Sequence, residues 1–181
     1  MGVLIEALTP SAARAAEPVL IEILRDAVDS GASVGFLPPL ATATASAYWR
    51  TVFAALDADA RLLLVARRPA DGAIVGTAQL DPAGKENARH RAEVAKVLVL
   101  RSARRQGVGR ALMEALEEHA RRRGRLTLVL DTREGDPSEA LYASLGWQRL
   151  GVIPRYCESA GGALDGSAFY YKLLDSERRH P

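Results

Sequence analysis

Apolar and polar residues alternate along the chain in patterns that predict short strands at both ends, with helices between them. A strand is expected over residues 1–8. Thr9-Pro10 then marks a helix start, because threonine caps a helix and proline fits its first turn. Apolar residues at three- and four-residue spacing extend this helix to Ser30. Residues 31–39 combine glycine and proline with apolar side chains, a composition that favours a binding loop.

The middle of the chain predicts a second helix and three strands. The helix is expected over residues 44–56, and the strands over 61–68, 73–80 and 92–100. Asp71-Gly72 is a typical hairpin turn between the first two strands. Residues 82–89 are polar and predict a turn before the third strand. The strand over 92–100 leads directly into a glycine-containing loop, which is the most informative segment of the chain.

The remaining elements predict a parallel pair of strands at the centre of a sheet. A helix is expected over 108–122, a strand over 126–131, a helix over 137–145 and strands over 147–153 and 168–174. Glu117 is among the polar side chains that the helical pattern directs to solvent. A strand–helix–strand crossover requires parallel pairing. The predicted fold class is therefore α/β (α+β), with a central mixed twisted sheet of about seven strands flanked by helices.

Composition narrows the class of protein. With 181 residues, 48% of them hydrophobic, we expect one domain over residues 1–181. The net charge of +2 and an aromatic content of 6% argue against a nucleic-acid partner. A single cysteine excludes an internal disulfide, and three scattered histidines predict no metal site. No apolar run approaches the roughly 20 residues of a membrane span, and no export signal is visible, so a cytoplasmic protein without a membrane partner is expected.

A glycine-containing loop joins the strand over 92–100 to the helix over 108–122, which is the arrangement of an anion-binding site. Gly107 and Gly109 let a phosphate approach the backbone, and the free N–H groups of the first helical turn face it. The residues expected to bind the cofactor here are Arg104, Arg105, Gln106, Gly107, Val108, Gly109, Arg110 and Ala111. An ordinary strand-to-helix turn is the alternative. Arginines at a helix N-terminus argue against it, because they oppose the helix dipole unless an anion binds.

Two other glycine loops fit less well. A P-loop needs Gly-Lys-Ser/Thr, but Arg110-Ala111 follows the last glycine here. A dinucleotide fingerprint needs a third glycine at the helix start, which is missing, although Asp131 does end the next strand. The loop therefore predicts binding of a phosphate group without matching either motif.

The order Arg104-x-x-Gly107-x-Gly109 between a strand and a helix resembles the acetyl-CoA pyrophosphate loop of the GNAT N-acetyltransferase superfamily. The order of the predicted elements is also similar to that of the superfamily. Within it, the chain resembles the tabtoxin resistance acetyltransferases in the segments 31–36, 91–94, 130–132, Leu141-Tyr142, Tyr156-Cys157 and 170–172. The resemblance implies transfer of an acetyl group from acetyl-CoA to a primary amine, which in those relatives belongs to a β-lactam amino-acid toxin.

The resemblance also implies catalytic residues. Tyr142 matches a tyrosine that protonates the departing CoA thiolate, and a phenol has a pKa comparable to that of a thiol. Glu93 and Asp131 match a pair of bases that accept the proton of the amine. Structural roles are the alternatives: Tyr142 as a core residue, Asp131 as a cap of the next loop, and Glu93 in a solvent-exposed ion pair with Arg91 or Lys96.

Further residues are expected to bind the two substrates. The Val99 backbone N–H polarises the acetyl carbonyl, while the carbonyls of Leu98 and Leu100 pair with the pantetheine chain, as the resemblance implies. The family often has a CoA-binding asparagine after the strand over 126–131, and Thr132 or Ser138 is expected to replace it here. The residues expected to contact the amine are Ser33, Phe36 and Tyr156.

These residues together predict an acetyl-CoA-dependent N-acetyltransferase that acts on a small amino-acid-like amine, with direct attack in a ternary complex. Toxin or antibiotic resistance is the role that the resemblance suggests. Acetylation of a peptide or protein N-terminus is the alternative within enzymes, and a non-catalytic acyl-CoA-binding sensor is the alternative outside them. The sequence is compatible with either a monomer or a homodimer.

Overall fold

Seven strands form one mixed sheet with helices on both faces in a computed structural model that describes residues 2–174. The elements in chain order are β1 (Leu4–Ala7), α1 (Pro10–Ala15), α2 (Glu17–Asp29), α3 (Thr42–Asp57), β2 (Leu62–Arg67), β3 (Ile74–Pro82), β4 (Arg91–Val99), α4 (Val108–Arg122), β5 (Thr127–Arg133), α5 (Ser138–Ser144), β6 (Gln148–Glu158) and β7 (Leu164–Leu173). Single 3₁₀ turns occupy Glu86–Ala88 and Arg101–Ala103. The predicted fold class is confirmed, and the element order agrees with the prediction except that three helices, rather than two, lie between β1 and β2.

The single helix predicted over residues 10–30 is wrong, because the chain forms two helices that meet at Ala16. Pro18 lies in the first turn of α2 and has no N–H to donate to the carbonyl four residues earlier, so a continuous helix is interrupted there. Thr9 caps α1 as expected, and its side chain accepts a hydrogen bond from the Ala12 N–H.

Two late strands are also longer than predicted. β6 continues past Ile153 to Glu158, and β7 begins at Leu164 rather than at residue 168. Pro154 is tolerated within β6 because this strand lies at the edge of the sheet, where the missing N–H of a proline need not take part in pairing. The sheet therefore ends in a long and mostly exposed strand.

The sheet order is β1-β2-β3-β4-β5-β7-β6, and β4–β5 is a parallel pair, as the crossover predicted. This pair is short and extends from Arg91 opposite Thr127 to Glu93 opposite Val129. Beyond Glu93, β4 pairs with β3 through Val99, whereas β5 pairs with β7. The carboxyl ends of β4 and β5 therefore diverge and leave a gap in the middle of the sheet.

A β-bulge lies in β4 beside this gap. Gln79 pairs with Ala95 and Thr77 with Leu98, so β4 carries one more residue than β3 between these pairs. Lys96 lies in the bulge with a φ of 51°, a value that non-glycine residues rarely adopt. A bulge bends its strand and redirects side chains, which accounts for the divergence of β4 from β5.

Two apolar clusters pack against the two faces of the sheet. One contains α4 and α5, with large buried side chains such as Leu112, Leu116 and Leu128. The other contains α1, α2 and α3, with Trp49 and Leu63 at its centre. Within residues 2–174, no helix combines the length and apolar character that a membrane span requires.

Glu117 does not face solvent as its helical position predicted. It is 4% exposed and accepts hydrogen bonds from Trp147 Nε1 at 2.9 Å and from Lys172 Nζ at 2.6 Å. Lys172 Nζ also donates to the Leu145 carbonyl at 2.6 Å. This buried network ties α4 to β7 and to the turn after α5.

Candidate functional site

The gap between β4 and β5 presents the backbone of Val99. The Leu100 N–H donates to the Val75 carbonyl at 2.9 Å, so Leu100 directs its polar groups towards β3. Backbone groups alternate along an antiparallel strand, and Leu98 therefore also faces β3, whereas Val99 faces the gap. The Leu100 carbonyl already accepts the Ala103 N–H at 2.8 Å. The expectation that the Leu98 and Leu100 carbonyls line the gap is wrong, and only Val99 of these three residues does so.

The N-terminus of α4 lies at the end of this strand and presents free N–H groups. Gly107 begins the helix with a φ of 81°, and no side chain among the described residues caps the first turn. The N–H groups of Val108, Gly109 and Arg110 are thus the donors of this turn, since the Ala111 N–H already bonds to the Gly107 carbonyl at 3.0 Å. With the positive end of the helix dipole, they form a site suited to a phosphate.

Each glycine of the loop has its own role. A Cβ at Gly107 would meet no atom within 4 Å, so this position needs glycine for its left-handed backbone. A Cβ at Gly109 would lie 3.2 Å from Leu141 Cδ2, so the absence of a side chain lets α5 approach α4. The loop thus joins the anion site to the helix that carries Tyr142.

Two arginines of the loop segment, Arg104 and Arg110, form side-chain hydrogen bonds within the protein, whereas Arg105 forms none among the described residues. Arg104 Nε donates to the Val99 carbonyl at 3.1 Å, and its Nη2 donates to Ser30 Oγ at 2.8 Å. Arg110 Nη2 donates to Ser144 Oγ at 2.7 Å, away from the loop. Arg105 is exposed and forms no ion pair within residues 2–174, so its guanidinium remains available to an anion.

Gln106 and Arg101 also stabilise the loop. Gln106 Nε2 donates to the Ser102 carbonyl at 3.1 Å. Arg101 binds Asp26 of α2 through its Nε at 2.7 Å and its backbone N–H at 2.8 Å. The loop is thereby fixed to the helix layer on the opposite face of the sheet.

Three carboxylates form a row on the sheet face covered by α1, α2 and α3. Asp81 of β3 lies directly opposite Glu93 of β4, which in turn lies opposite Val129 of β5. Asp131 is two residues beyond Val129 and therefore on the same face. Arg61 forms an ion pair with Asp81 at one end of the row. The predicted bases Glu93 and Asp131 are thus brought together across the narrow end of the gap.

The row changes the acidity of Glu93. Partial burial raises the pKa of Glu93, and the negative charges of Asp131 and Asp81 raise it further, while Lys96 and Arg61 act in the opposite direction. At the other end of the row, Ser167 Oγ donates to Asp131 Oδ2 at 2.7 Å. Glu93 is therefore a stronger base than an isolated carboxylate, and its side chain is accessible from solvent.

Tyr142 lies on the other side of the sheet, within the layer of α4 and α5. It is 7% exposed and packs against the rings of Trp147 and Tyr170, with centroids 6.2 and 5.7 Å away. Burial raises the pKa of Tyr142 to about 12, so the phenol holds its proton at neutral pH. Ser138 begins the same helix, and its Oγ is 3.0 Å from Thr132 Oγ1 at the end of β5.

A cleft of 270 Å³ lies between the loop after α2 and the β6–β7 hairpin, beside the end of β5. It contains Ser33 and Phe36, two of the three residues expected to contact the amine. Ser33 Oγ donates to Cys157 Sγ at 3.3 Å, and the Phe36 ring meets Tyr48 edge-on at 5.5 Å. Tyr156 is not among the residues that line this cleft.

Tyr156 instead packs on Phe169, with ring centroids 5.2 Å apart. Phe169 lies opposite Asp131 in the β5–β7 pair, so Tyr156 is on the same side of the sheet as the row of carboxylates. The three residues expected to contact the amine therefore lie on one face of the sheet, but not in one cleft.

The sequence interpretation missed several polar residues on this face: Tyr48, Arg61, Gln79, Asp81 and Lys96. Tyr48 belongs to α3, and its hydroxyl accepts a hydrogen bond from Gln79 Nε2 at 2.9 Å. Gln79 and Asp81 alternate with buried Ala78 and Leu80, a two-residue period that indicated a polar stripe. The predicted strand stopped at residue 80 and so left Asp81 outside it.

Comparisons with known proteins agree with this geometry. The model of the acetyltransferase (GNAT) family matches residues 31–147. An uncharacterized N-acetyltransferase of Azospirillum brasilense, from the hisH-hisA intergenic region, is 38% identical over 117 residues, which are 64% of this chain and 67% of that protein.

Solved structures share the fold over nearly the whole chain. Ribosomal-protein-alanine N-acetyltransferase from Brucella melitensis has a TM-score of 0.77 and 28% identity, with 94% of this chain and 99% of that one covered. A GNAT superfamily phosphinothricin acetyltransferase from Sinorhizobium meliloti, solved with acetyl-CoA, has a TM-score of 0.79 and 21% identity, with 100% and 93% covered. On the match of its sequence and the agreement of its fold, the chain belongs to the acetyltransferase (GNAT) family.

Proposed function

We propose that this protein transfers an acetyl group from acetyl-CoA to the primary amine of a small amino-acid-like molecule. The observation that carries the proposal is the gap between β4 and β5, which joins an anion site on one side to a row of carboxylates on the other. A thioester in this gap and an amine at the carboxylates meet without crossing the sheet. This arrangement favours direct attack in a ternary complex.

The donor side binds acetyl-CoA in this proposal. The pyrophosphate accepts hydrogen bonds from the N–H groups of Val108, Gly109 and Arg110, and the exposed Arg105 adds a positive charge. The pantetheine chain lies along the free edge of β4. The Val99 N–H then donates to the acetyl carbonyl and stabilises the negative charge that develops on its oxygen during attack. Ser138 and Thr132 lie at the end of β5 as further polar contacts for the cofactor.

The acceptor side prepares the amine for attack. An unperturbed lysine-like amine is neutral about once in a few thousand molecules at pH 7, a deficit of about 4 to 5 kcal/mol, whereas an α-amine with a pKa near 8 needs only about 1 kcal/mol. Glu93 accepts the ammonium proton, directly or through one water, and Asp131 holds the amine from the other side. The neutral nitrogen then attacks the thioester carbon.

The leaving group receives its proton from the opposite layer. As the new C–N bond forms, the C–S bond breaks and the electron pair goes to sulfur. Tyr142, held protonated by burial, donates its phenolic proton to the thiolate, and CoA leaves as the thiol. The acetylated nitrogen loses its second proton to water, and Tyr142 regains a proton from solvent before the next turnover. Glu93 and Tyr142 thus act on opposite sides of the gap.

The substrate class rests on the cleft and on relatives. A small molecule fits beneath the loop that contains Ser33 and Phe36, and resistance to an amino-acid toxin or antibiotic is the physiological role that we propose. The similarity to a phosphinothricin acetyltransferase and the resemblance to tabtoxin resistance acetyltransferases support this class. The similarity to a ribosomal-protein-alanine N-acetyltransferase supports the alternative, a peptide N-terminus.

Release of free thiol from acetyl-CoA tests the proposal. The amines are L-amino acids, aminoglycosides, polyamines and peptides that begin with alanine. We expect turnover of amino acids, with kcat reduced by both Tyr142→Phe and Glu93→Gln. Glu86→Gln, in the exposed turn before β4, is the matched control and leaves turnover unchanged. Turnover of peptides alone contradicts the small-molecule class. Tight acetyl-CoA binding without turnover of any amine contradicts the enzymatic role and favours a sensor.

A further inference from the structure

The bulge in β4 places Lys96 on the sheet face that carries Asp81, Glu93 and Asp131. Its φ of 51° differs from that of a regular strand, so its side chain leaves the normal alternation. The Nζ atom lies 5.6 Å from the centroid of the Tyr48 ring, which belongs to α3. Since Tyr48 also hydrogen-bonds to Gln79, Lys96 lies among the polar residues beneath α3, next to Glu93.

Lys96 differs from its cationic neighbour Arg61 in having no counter-ion among the described residues. Arg61 is paired with Asp81 and donates from its Nη1 to Gln79 Oε1 at 3.1 Å. Within residues 2–174, no carboxylate lies within 4 Å of Lys96 Nζ. Burial lowers the pKa of Lys96, while Glu93 and Asp131 raise it by less. A half-buried ammonium without a partner is unfavourable, and an anion that enters the site removes that cost.

We propose that Lys96 binds an oxyanion of the acceptor, so that the acceptor is an amino acid that carries an acidic group near its reactive amine. The inference rests on the proposed function. The amine of such a molecule lies against Glu93 and Asp131, and its carboxylate, or a comparable phosphinate, accepts hydrogen bonds from Lys96 Nζ. A dipolar acceptor thus meets charges of opposite sign at both of its ends.

The same charges exclude other amines. A polyamine or an aminoglycoside brings a second positive charge towards Lys96, which is repelled in this partly desolvated site. A simple alkylamine satisfies the carboxylates but leaves Lys96 without a partner. The preference for amino acids over simple amines therefore comes from the cost of leaving Lys96 unpaired. This preference is larger than the shape of the site alone would produce.

Matched pairs of amines test the inference. We use alanine and methionine, each with the amine that remains when its carboxyl group is removed, and measure kcat/KM from thiol release. For the wild type we expect removal of the carboxylate to lower kcat/KM by about 10- to 100-fold, the effect of losing one charge-assisted hydrogen bond. The effect lies mainly in KM, because the carboxylate does not take part in bond making.

Variants at Lys96 assign that preference to one side chain. Lys96→Met lowers kcat/KM for the amino acids by about 10- to 100-fold and changes it less than threefold for the decarboxylated amines. Lys96→Arg retains the charge and restores part of the preference. Lys85→Met, in the exposed turn before β4, removes a lysine outside the site and leaves both values unchanged.

The possible results separate the two proposals. If the wild type acetylates decarboxylated amines as well as amino acids, the inference about Lys96 is wrong and the proposed function stands. An equal loss for both members of each pair in Lys96→Met also contradicts the inference, since Lys96 then acts on the reaction or on the fold. If no amine of the series releases thiol, the proposed function fails, and the inference fails with it.

Discussion

In the proposed reaction, Glu93 is the base, and burial and the charges of the sheet face set its pKa. As a base it works in its carboxylate form, so kcat/KM falls as the pH drops through its pKa, which burial, Asp131 and Asp81 raise. Asp81→Asn removes one of these like charges and also frees Arg61 from its ion pair. Both effects lower the pKa of Glu93. We therefore expect the acidic limb of the kcat/KM profile to move to lower pH, by about 0.5 to 1 unit.

The control for this shift is Asp71→Asn, in the hairpin turn between β2 and β3, which removes the same charge far from the row. Its pH profile should match that of the wild type. A profile of Asp81→Asn that moves to higher pH, or does not move, contradicts the assignment of Glu93 as the base. The limb should disappear in Glu93→Gln.

Tyr142 has a pKa of about 12, and this value predicts the alkaline side of the profile. An acid works in its protonated form, so Tyr142 causes no loss of kcat between pH 8 and pH 10. Tyr142→Phe should lower kcat by about 100- to 1,000-fold, as expected for loss of a general acid. Calorimetric titration should give an unchanged Kd for acetyl-CoA. A kcat within threefold of the wild type would assign Tyr142 to the core alone.

Among the elements, the sequence patterns predicted the order of strands and helices and the parallel pair β4–β5, because these follow from local periodicity and crossover geometry. The bulge at Lys96 has no such signal. It arises from the register of β4 against β3, a relation between residues nearly 20 positions apart. The burial of Glu117 was also missed, since its partners Trp147 and Lys172 are 30 and 55 residues away.

The candidate site divides in the same way. Glu93, Asp131, Tyr142 and the glycine loop follow from motifs that are contiguous in the chain. The roles of Asp81 and Lys96 depend on the pairing of β3, β4 and β5. The hydrogen bonds of Arg104 and Arg110 depend on Ser30 and Ser144, which are distant in the sequence. Local motifs thus predict the reacting groups, whereas the groups that tune and select depend on tertiary pairing.

The loop before α4 gives a prediction at the scale of an element. Gly107 has a φ of 81°, and Gly124, after the other end of the same helix, has a φ of 67°. Replacement of either by alanine forces a left-handed backbone and should lower the free energy of unfolding by about 1 kcal/mol. In Gly107→Ala, the N–H groups of the first turn also shift, so the Kd for acetyl-CoA should rise by about 10-fold.

Gly124→Ala is the matched control for strain without a change at the anion site. Urea denaturation measures the stability of both variants, and calorimetric titration measures binding. An equal Kd for acetyl-CoA in the two variants would show that the first turn of α4 does not bind the pyrophosphate.

At the scale of the whole molecule, the two faces of the sheet have separate tasks. The layer of α4 and α5 carries the anion site and Tyr142, and the face that packs against α1, α2 and α3 carries the carboxylates and Lys96. Arg101 and Arg104 cross between them through Asp26 and Ser30. The proposed reaction therefore depends on a fixed distance between the two layers, and the buried network around Glu117 ties α4 to β7 within one of them.

That network predicts coupled effects on stability. Glu117→Gln leaves Lys172 without its counter-ion, and Lys172→Met leaves the buried carboxylate only the longer ion pair with Arg121 Nη2 at 3.7 Å. Each change should therefore lower the free energy of unfolding by about 3 kcal/mol. The double variant removes both charges, while the glutamine oxygen can still accept the hydrogen bond of Trp147. Its loss should be smaller than the sum of the single losses by at least about 1 kcal/mol in urea denaturation. Glu118→Gln, which removes an exposed carboxylate from the same helix, should cost less than about 0.5 kcal/mol. Additive losses would mean that Glu117 and Lys172 stabilise the fold independently, and the network would then not couple α4 to β7.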